Sequence, residues 1–326
     1  MMTRSAVIRC DASPKIGSGH VMRCLALADV MRGRGWAVSF YVNEEAIQTA
    51  PFLQRSSYDV YTLDQSPPSC DLAIIDHYDL NAEYERQAKA WAKQVLVIDD
   101  VGHRKHDCDF IMDYAILDSA DTARHTVSHN CICFFGLEYA MLRPEFLIPV
   151  THIKNPPEKI HIFFGGTDVA RLTLRLLKKI LDLGLETQYV FQIIIADANP
   201  DKEDIIQLCA MQAAFELHVQ VEDMADLIRQ CDLAIGVGGV AMWERLALGI
   251  PVIEFAHSEI QLETLIKLRD MNAIYYAGMG EEITDFLDNG GFEATLNSPP
   301  SLTKLDIGTN LPAMLETIET AMRRAA

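Results

Sequence analysis

Short apolar runs alternate with segments of helical periodicity along most of the chain. In the first half, the apolar runs predict strands at 6–9, 37–42, 59–63, 72–76, 95–99, 110–112 and 131–135, and helical patterns fall near 20–33, 43–54 and 81–93. The strands are apolar at successive positions and not only at every second one, which is typical of a parallel sheet covered on both faces. The pattern therefore predicts an α/β fold with a doubly wound parallel sheet.

A second series of alternating strands and helices follows a proline-bearing stretch that has neither strand nor helix periodicity. Further strands are expected at 160–164, 189–195, 218–221, 233–237, 252–255 and 273–276, with helices near 169–183, 202–215, 223–230, 240–248 and 259–271. We expect an N-terminal Rossmann-like domain over 1–148, a linker over 149–158 and a C-terminal Rossmann-like domain over 159–310. A closing helix over 311–326 can pack back on the N-terminal domain. Two such domains imply a cleft between them, where ligands usually bind.

Composition narrows the range of partners. The 326 residues are 49% hydrophobic and carry a formal net charge of -18. Such an acidic surface disfavours nucleic acid and anionic membranes but leaves room for a small anionic ligand at a helix N-terminus. There is no apolar run of the roughly 18 residues that a membrane span needs, and the N-terminus lacks the apolar core of a signal peptide. The eight cysteines are scattered, so we expect reduced thiols in a cytoplasmic protein. The sequence leaves the oligomeric state open.

The loop between the first strand and the first helix carries the richest chemistry. Gly17 and Gly19 allow a ligand to approach the backbone closely at the positive end of a helix. His20 adds an imidazole there, and Asp11 is expected to orient and polarise it as a general base. An ordinary turn with a solvated histidine is the alternative. The loop is not the dinucleotide fingerprint, because Met22 stands where a third small residue is required.

Polar residues also follow two later strands of the first half. Asp76 and Tyr78 end the strand at 72–76, where a doubly wound sheet presents functional groups. Asp99 and Asp100 end the next strand, and His103, His106 and Cys108 follow. Their spacing matches no strong zinc signature. We therefore favour a solvated loop over a metal site, and we expect neither a metal nor a cofactor.

Two glycine loops precede helices in the second half. Gly165, Gly166 and Asp168 open one helix, and Gly238 and Gly239 open another. Both loops are suited to bind phosphate on a helix N-terminus, although Asp168 is equally a good helix cap. Glu244 lies about one turn inside the second of these helices. Its carboxylate can accept hydrogen bonds from a ribose diol, or it can pair with a basic side chain on the helix surface.

These motifs together resemble a known family. The glycine cluster with Trp243 and Glu244 resembles the nucleotide-binding end of GT-B enzymes. The first loop is similar to the signature of the UDP-2,4-diacetamido-2,4,6-trideoxy-β-L-altropyranose hydrolases of pseudaminic acid biosynthesis, the PseG family. The agreement extends over about residues 6 to 270 and includes Arg9, Asp11, Ser13, Gly17, Gly19, His20, Arg23, Asp76, Tyr78, Asp99, Asp100, Gly165, Gly166, Asp168, Gly238, Gly239, Trp243, Glu244, Arg245 and Gln261. Two stretches depart from the family pattern. Val240 and Ala241 stand where the family often has small hydroxyl residues, and His257–Ile260 differ from the residues that often precede the family's match to Gln261.

The resemblance implies a GT-B fold and a metal-independent hydrolase. The residue matching His20 would activate water, which attacks the anomeric carbon with inversion and releases UDP and the free diacetamido sugar. Substrate contacts are implied for Gly17, Gly19, Arg23, Tyr78, Asp100, Gly165, Gly166, Asp168, Gly238, Gly239, Trp243, Glu244 and Gln261. The implied partner is a small-molecule UDP-sugar, and the implied pathway is one that serves flagellin glycosylation.

Three other functions fit the same motifs. A GT-B glycosyltransferase would use the same donor site with an alcohol in place of water. A hydrolysing UDP-sugar epimerase of a related nonulosonic acid pathway would invert the second sugar carbon. A non-catalytic nucleotide-sugar binder would hold the ligand unchanged. The exact sugar stereochemistry does not follow from the sequence.

Overall fold

The structure, a computed structural model, describes residues 3–115, 125–297 and 305–325. The chain divides into two compact units, one formed by Met1–Arg143 with Asp306–Ala326 and the other by Pro144–Leu305. The stretch 149–158, expected as a linker, falls within the second unit, and the closing helix falls within the first.

The N-terminal unit is built on a seven-stranded parallel sheet. Its strands are β1 (Ser5–Cys10), β2 (Ala37–Val42), β3 (Asp59–Thr62), β4 (Cys70–Asp76), β5 (Ala92–Ile98), β6 (Phe110–Asp113) and β7 (Ile132–Phe135). Between them lie the helices α1 (Gly19–Gly33), α2 (Glu44–Thr49), α3 (Pro51–Arg55) and α4 (Ala82–Ala88), and a 3-10 turn follows at Leu137–Tyr139.

The order of strands in this sheet is β3-β2-β1-β4-β5-β6-β7, so the direction of winding reverses between β1 and β4. At that reversal Cys10 is the register partner of Asp76, the last residue of β4. Ligands of doubly wound sheets bind beyond the carboxyl ends of the strands at such a reversal. The loops after β1 and β4 are therefore the first place to look for a site in this unit.

The C-terminal unit repeats the plan with a six-stranded parallel sheet of order β10-β9-β8-β11-β12-β13. Its strands are β8 (Lys159–Phe163), β9 (Val190–Ile195), β10 (Phe215–Val219), β11 (Leu233–Val237), β12 (Val252–Ala256) and β13 (Tyr275–Met279). Its helices are α5 (Leu172–Asp182), α6 (Lys202–Ala210), α7 (Met224–Ile228), α8 (Val240–Leu248), α9 (Glu259–Asp270), α10 (Ile283–Asp288) and α11 (Gly291–Asn297), with 3-10 turns at Pro144–Leu147, Leu185–Thr187 and Gly280–Glu282. The winding reverses between β8 and β11, which precede the two glycine loops. The final helix of the chain, α12 (Leu311–Ala325), belongs to the N-terminal unit.

The predicted doubly wound architecture is confirmed in both units, and the differences have local causes. The helix expected at 43–54 is two helices, because Pro51 at the start of α3 cannot continue the hydrogen bonding of α2. Helix α5 begins three residues late, since Asp168 and Arg171 adopt positive φ of 37° and 55°. Helices α10 and α11 were not predicted, and Phe292 of α11 is buried in the core of the unit.

Glu319 of helix α12 contacts the turn between α1 and β2 of its unit. Glu319 accepts hydrogen bonds from Arg34 Nε at 3.1 Å and from Trp36 Nε1 at 3.0 Å, and Arg4 lies 3.5 Å from its Oε2. Burial opposes ionisation, but the hydrogen bonds from Arg34 and Trp36 and the charges of Arg34 and Arg4 keep the pKa of Glu319 below its ordinary value.

Replacing Glu319 with alanine is expected to lower the free energy of unfolding by about 1–3 kcal/mol at pH 7, because Trp36 and Arg34 lose their acceptor. Glu319→Ala and wild type should converge in acid, since a carboxylate with a depressed pKa stabilises the fold above its unfolded pKa of about 4.3 and loses that effect as the pH falls through the folded value. Urea unfolding at pH 7 and in acid measures both effects. Glu316→Ala, at an exposed position of the same helix, is the control, and equal losses in the two variants would contradict the assignment.

Within the described ranges, no helix has both the length and the apolar character that crossing a bilayer requires.

Candidate active site

His20 lies at the reversal point of the N-terminal sheet, in the first turn of α1. Its side chain is 8% exposed, and its Nδ1 lies 2.7 Å from Oδ1 of Asp76. The ring of Tyr78 meets the imidazole edge-on, with 4.6 Å between ring centroids and 76° between planes. The β1–β4 pairing brings these groups together, because it sets the end of β4 beside the loop that leads into α1.

The carboxylate of Asp76 determines which nitrogen of His20 carries the proton. Asp76 is buried, and burial alone would raise its pKa, but the charge of Arg23 and the hydrogen bonds from Arg23 and His20 hold that pKa well below its usual range. An ionised carboxylate only accepts hydrogen bonds, so Nδ1 of His20 donates to it. Nε2 then keeps its lone pair. No residue of the described ranges bonds to Nε2, and it is not among the buried polar atoms that lack a partner. In the neutral ring, Nε2 is therefore the nitrogen that can accept a proton.

Asp11 is not the partner of His20, so that expectation is wrong. Its oxygens accept hydrogen bonds from Arg9, from the backbone N–H of Asn43 at 2.8 Å and from Nε2 of His77 at 3.0 Å. The N–H of Asp79 donates to Nδ1 of His77 at 2.9 Å, which makes Nε2 the protonated nitrogen of that ring. Asp11 thus ties the first loop to the ends of β2 and β4, and Asp76 takes the orienting role.

Arg23 and Asp100, both expected as substrate contacts, form a hydrogen-bonded chain that holds Asp76 in place. Arg23 is 4% exposed; its Nε donates to Asp76 Oδ2 at 2.6 Å and its Nη1 to Asp100 Oδ2 at 2.5 Å. The hydroxyl of Tyr114 contacts the same guanidinium and donates to Asp100 at 3.1 Å. The guanidinium is therefore saturated by protein partners and fixes the carboxylate that orients His20.

Tyr78 and the first glycines complete this region. Tyr78 is 36% exposed, and burial of its hydroxyl together with the nearby charge of Asp100 raises its pKa, so the phenol is neutral. It combines contact with His20 and contact with solvent, as a substrate-binding side chain must. Gly17 adopts a φ of 75° and donates its N–H to the carbonyl of Ser13 at 2.8 Å. That amide therefore shapes the loop and is not available to a phosphate, whereas Gly19 begins α1.

In the C-terminal unit, the loop after β8 contains a glycine with a left-handed backbone and a helix cap. Gly165 has a φ of 91° and is followed by Gly166. Asp168 accepts from the N–H of Leu172 and of Thr173, each at 2.9 Å. Both oxygens are used by the start of α5, so Asp168 caps that helix, the alternative that the sequence left open.

The loop after β11 is held by Gln261. The Nε2 of Gln261 donates to the carbonyl of Gly238 at 2.6 Å, and its Oε1 accepts from the N–H of His257 at 3.0 Å. The N–H of Gly238 donates to Phe255 O at 3.1 Å. A side chain at position 238 would lie 3.3 Å from Gln261 and Leu265, so Gly238 permits close packing and Gln261 positions the loop. Gly239, with a φ of 122°, precedes α8, and the first N–H groups of a helix have no acceptor within it.

Helix α8 rests on a buried ion pair. The guanidinium of Arg245, with no exposed surface, donates through Nε to Glu254 Oε1 at 2.9 Å and through Nη2 to the carbonyl of Val237 at 3.1 Å. Trp243 and Glu244 are also buried, at 4% and 9% exposure. Arg245 thereby joins the end of β11 to the middle of β12. A glutamate within the apolar run of β12 was the sequence signal for it.

Known proteins resemble the chain in sequence and in fold. It is 24% identical over 292 residues to the spore coat polysaccharide biosynthesis protein SpsG of Bacillus subtilis, covering 85% of each protein. It is 22% identical over 291 residues to the UDP-2,4-diacetamido-2,4,6-trideoxy-beta-L-altropyranose hydrolase of Campylobacter jejuni, covering 88% of this chain and 97% of that one. No family model matches the chain.

Solved structures also share the fold. MurG of Acinetobacter baumannii aligns with a TM-score of 0.60 at 15% identity, over 97% of this chain and 99% of that one. The UDP-GlcNAc 2-epimerase of Neisseria meningitidis, bound to UDP-GlcNAc, aligns with a TM-score of 0.60 at 11% identity, over 98% and 100% of the two chains. The GT-B fold and the resemblance to the hydrolase family are thereby confirmed.

Proposed function

We propose that this chain is a UDP-sugar hydrolase that releases UDP and free 2,4-diacetamido-2,4,6-trideoxy-L-altrose, with His20 as general base. The observation that carries the proposal is the hydrogen bond between His20 Nδ1 and Asp76 at 2.7 Å, because it leaves Nε2 as a proton acceptor. Similarity to the Campylobacter jejuni hydrolase over 88% of the chain supports the choice of substrate and of pseudaminic acid biosynthesis as its setting.

The reaction is a single displacement at the anomeric carbon. His20 Nε2 takes a proton from water while the water oxygen bonds to that carbon. The bond from the carbon to the diphosphate oxygen breaks, its electron pair leaves with UDP, and the anomeric centre inverts. The imidazolium that forms is stabilised by Asp76, which Arg23 holds in place. A positioned general base contributes about 10²–10⁴ in rate, and we assign water activation to His20 and not to a metal ion.

We assign the binding of UDP to the C-terminal unit. The start of α8, with Gly239 before it, offers N–H groups at the positive end of a helix, which suits a diphosphate. Stabilising the charge that develops on the leaving oxygens is the largest contribution that such donors make. In this assignment Trp243 and Glu244 contribute to the nucleoside side, Gly165 and Gly166 contact the substrate from the loop after β8, and Gly238 and Gln261 hold the diphosphate loop in shape.

Replacing Gly239 with alanine is expected to weaken UDP binding about tenfold or more. Its φ of 122° and ψ of -162° lie where only glycine is unstrained, and forcing another residue there costs about 1–3 kcal/mol. Calorimetric titration with UDP measures the change. Gly184→Ala is the matched control, because Gly184 also has a positive φ, of 68°, in the same unit but lies before a different turn. Equal affinity of the two variants for UDP would contradict the assignment.

Incubation with the UDP-diacetamido sugar tests the function itself. Release of UDP together with the free sugar is expected when water is the only acceptor. A glycoside formed with an added alcohol would identify a glycosyltransferase, and a product inverted at the second sugar carbon would identify an epimerase. Tight binding without consumption would identify a nucleotide-sugar binder. Each of these three outcomes contradicts the hydrolase proposal.

The setting that we propose is the cytoplasm. All eight cysteines are free, and six of them are buried, which is the usual state of thiols in a reducing compartment.

A further inference from the structure

A second cluster of histidines and carboxylates lies in the N-terminal unit, apart from the contacts of His20. Asp99 follows β5, His106 lies in the loop before β6, and His125 precedes β7. One ligating atom from each of the three lies within 4.8 Å of the others. His106 Nε2 is 2.9 Å from Asp99 Oδ2, and His125 Nδ1 is 3.8 Å from the same oxygen. The three side chains are at most 1% exposed.

Each histidine of the cluster contacts a further carboxylate through the ring nitrogen that does not face Asp99. Glu85 lies 2.7 Å from Nδ1 of His106, and Asp113 lies 2.6 Å from Nε2 of His125. A carboxylate on one ring nitrogen fixes the proton there and leaves the other nitrogen with a lone pair, the arrangement typical of metal-ligating histidines. Nε2 of His106 and Nδ1 of His125 are thus the two nitrogens that face Asp99. Nε2 of His106 lies at hydrogen-bond distance from Asp99 and would exchange that contact for the ion, whereas Nδ1 of His125 lies 3.8 Å away.

The third observation is an unsatisfied polar atom. Nδ1 of His125 is buried and has no hydrogen-bond partner within the part of the chain that the structure describes. A buried polar atom without a partner is costly and uncommon in folded proteins. A metal ion that accepts the lone pair of this nitrogen would remove that cost.

We propose that Asp99, His106 and His125 bind a divalent transition-metal ion of the zinc class. Two imidazole nitrogens and one carboxylate oxygen suit zinc better than magnesium or calcium, which prefer oxygen ligands. Ligands about 2.0–2.1 Å from a tetrahedral ion stand about 3.3 Å apart, between the two separations measured here. Arg104 contacts both oxygens of Asp99, Oδ1 at 3.0 Å and Oδ2 at 3.3 Å, and Oδ2 is the oxygen that faces both histidines. The fourth position would be taken by water.

The ion would have a structural role. Arg104 joins Asp99 to the backbone carbonyls of Tyr78 and Leu80, and the ring of Tyr78 contacts His20. Fixing Asp99 therefore steadies the segment that holds Tyr78 against the imidazole. The proposal does not depend on the hydrolase assignment, because it concerns atoms that the reaction does not use.

Metal titration of the chelator-treated full chain tests the site directly. Wild type is expected to bind a single zinc ion per chain, to gain thermal stability on binding, and to show the visible absorption of tetrahedral cobalt when Co²⁺ replaces zinc. His106→Ala and His125→Ala are expected to weaken zinc binding by more than roughly 10–100-fold, which is the usual cost of losing only a hydrogen-bond partner of a ligand. His129→Ala, an exposed histidine near β7, is the control and should bind as wild type does.

Two results would overturn the proposal. One is the absence of stoichiometric zinc and cobalt binding by wild type, which needs no variant. The other is binding that survives in both ligand variants or falls equally in His129→Ala. Far-UV circular dichroism establishes that each variant is folded before it is compared.

Discussion

Replacing His20 with glutamine is expected to lower kcat for release of UDP by about 10²–10⁴-fold, the contribution of a positioned general base. Glutamine keeps much of the side-chain volume but cannot take a proton from water near neutral pH. Binding of UDP, measured by calorimetry, should change little, because the diphosphate is assigned to the loop before α8. The loss should therefore fall on kcat and not on UDP affinity.

The matched control for this variant is His129→Gln, an exposed histidine of the same unit that should turn over as wild type does. Circular dichroism and the unfolding midpoint show whether the fold of His20→Gln is intact. Turnover retained within a few-fold in a folded His20→Gln protein would remove His20 from its role.

Replacing Asp76 with asparagine is the second large effect that we expect. An amide can donate to Nδ1 of His20, which would place the proton on Nε2 and block it as a base. In a Ser-His-Asp triad the equivalent change costs about 10⁴ in kcat, and we expect about 10²–10⁴ here. The variant also leaves Arg23 buried with less compensation, and breaking a buried ion pair costs about 3–5 kcal/mol.

Asp11→Asn separates the catalytic effect from the structural one. Asp11 is also a buried carboxylate paired with an arginine, Arg9, so both variants should lose stability. Asp76→Asn alone should also lose the large factor in kcat/KM, because only this variant removes the carboxylate that orients His20. Equal kinetic losses in the two variants would contradict the role of Asp76.

The fold was predictable because each strand can be recognised from its own local sequence. Runs such as Leu-Ala-Ile-Ile before Asp76 are buried on both faces of a parallel sheet, so successive apolar residues mark them without knowledge of their neighbours. Helix bounds were less certain, since Asp168 and Arg171 delay α5 through backbone conformations that no periodicity reveals.

The site was predictable only in part, because its contacts depend on strand pairing. His20 stood out from its position after a glycine loop, but its partner Asp76 lies 56 residues away and reaches it through the β1–β4 register. Asp11 is much nearer to His20 in sequence, but its oxygens accept hydrogen bonds from groups at the ends of β2 and β4. Likewise, the N–H of Gly238 is used by Phe255 of the neighbouring strand, which the motif alone does not show.

Hydrolysis of the UDP-diacetamido sugar in ¹⁸O-labelled water tests the central claim most directly, because it reports which atom the activated water attacks. Attack at the anomeric carbon places the label in the free sugar and leaves the released UDP unlabelled, as mass spectrometry of the two products would show. Label in the UDP phosphate, or release of no free sugar at all, would contradict a mechanism in which His20 delivers water to the carbon that bears the diphosphate.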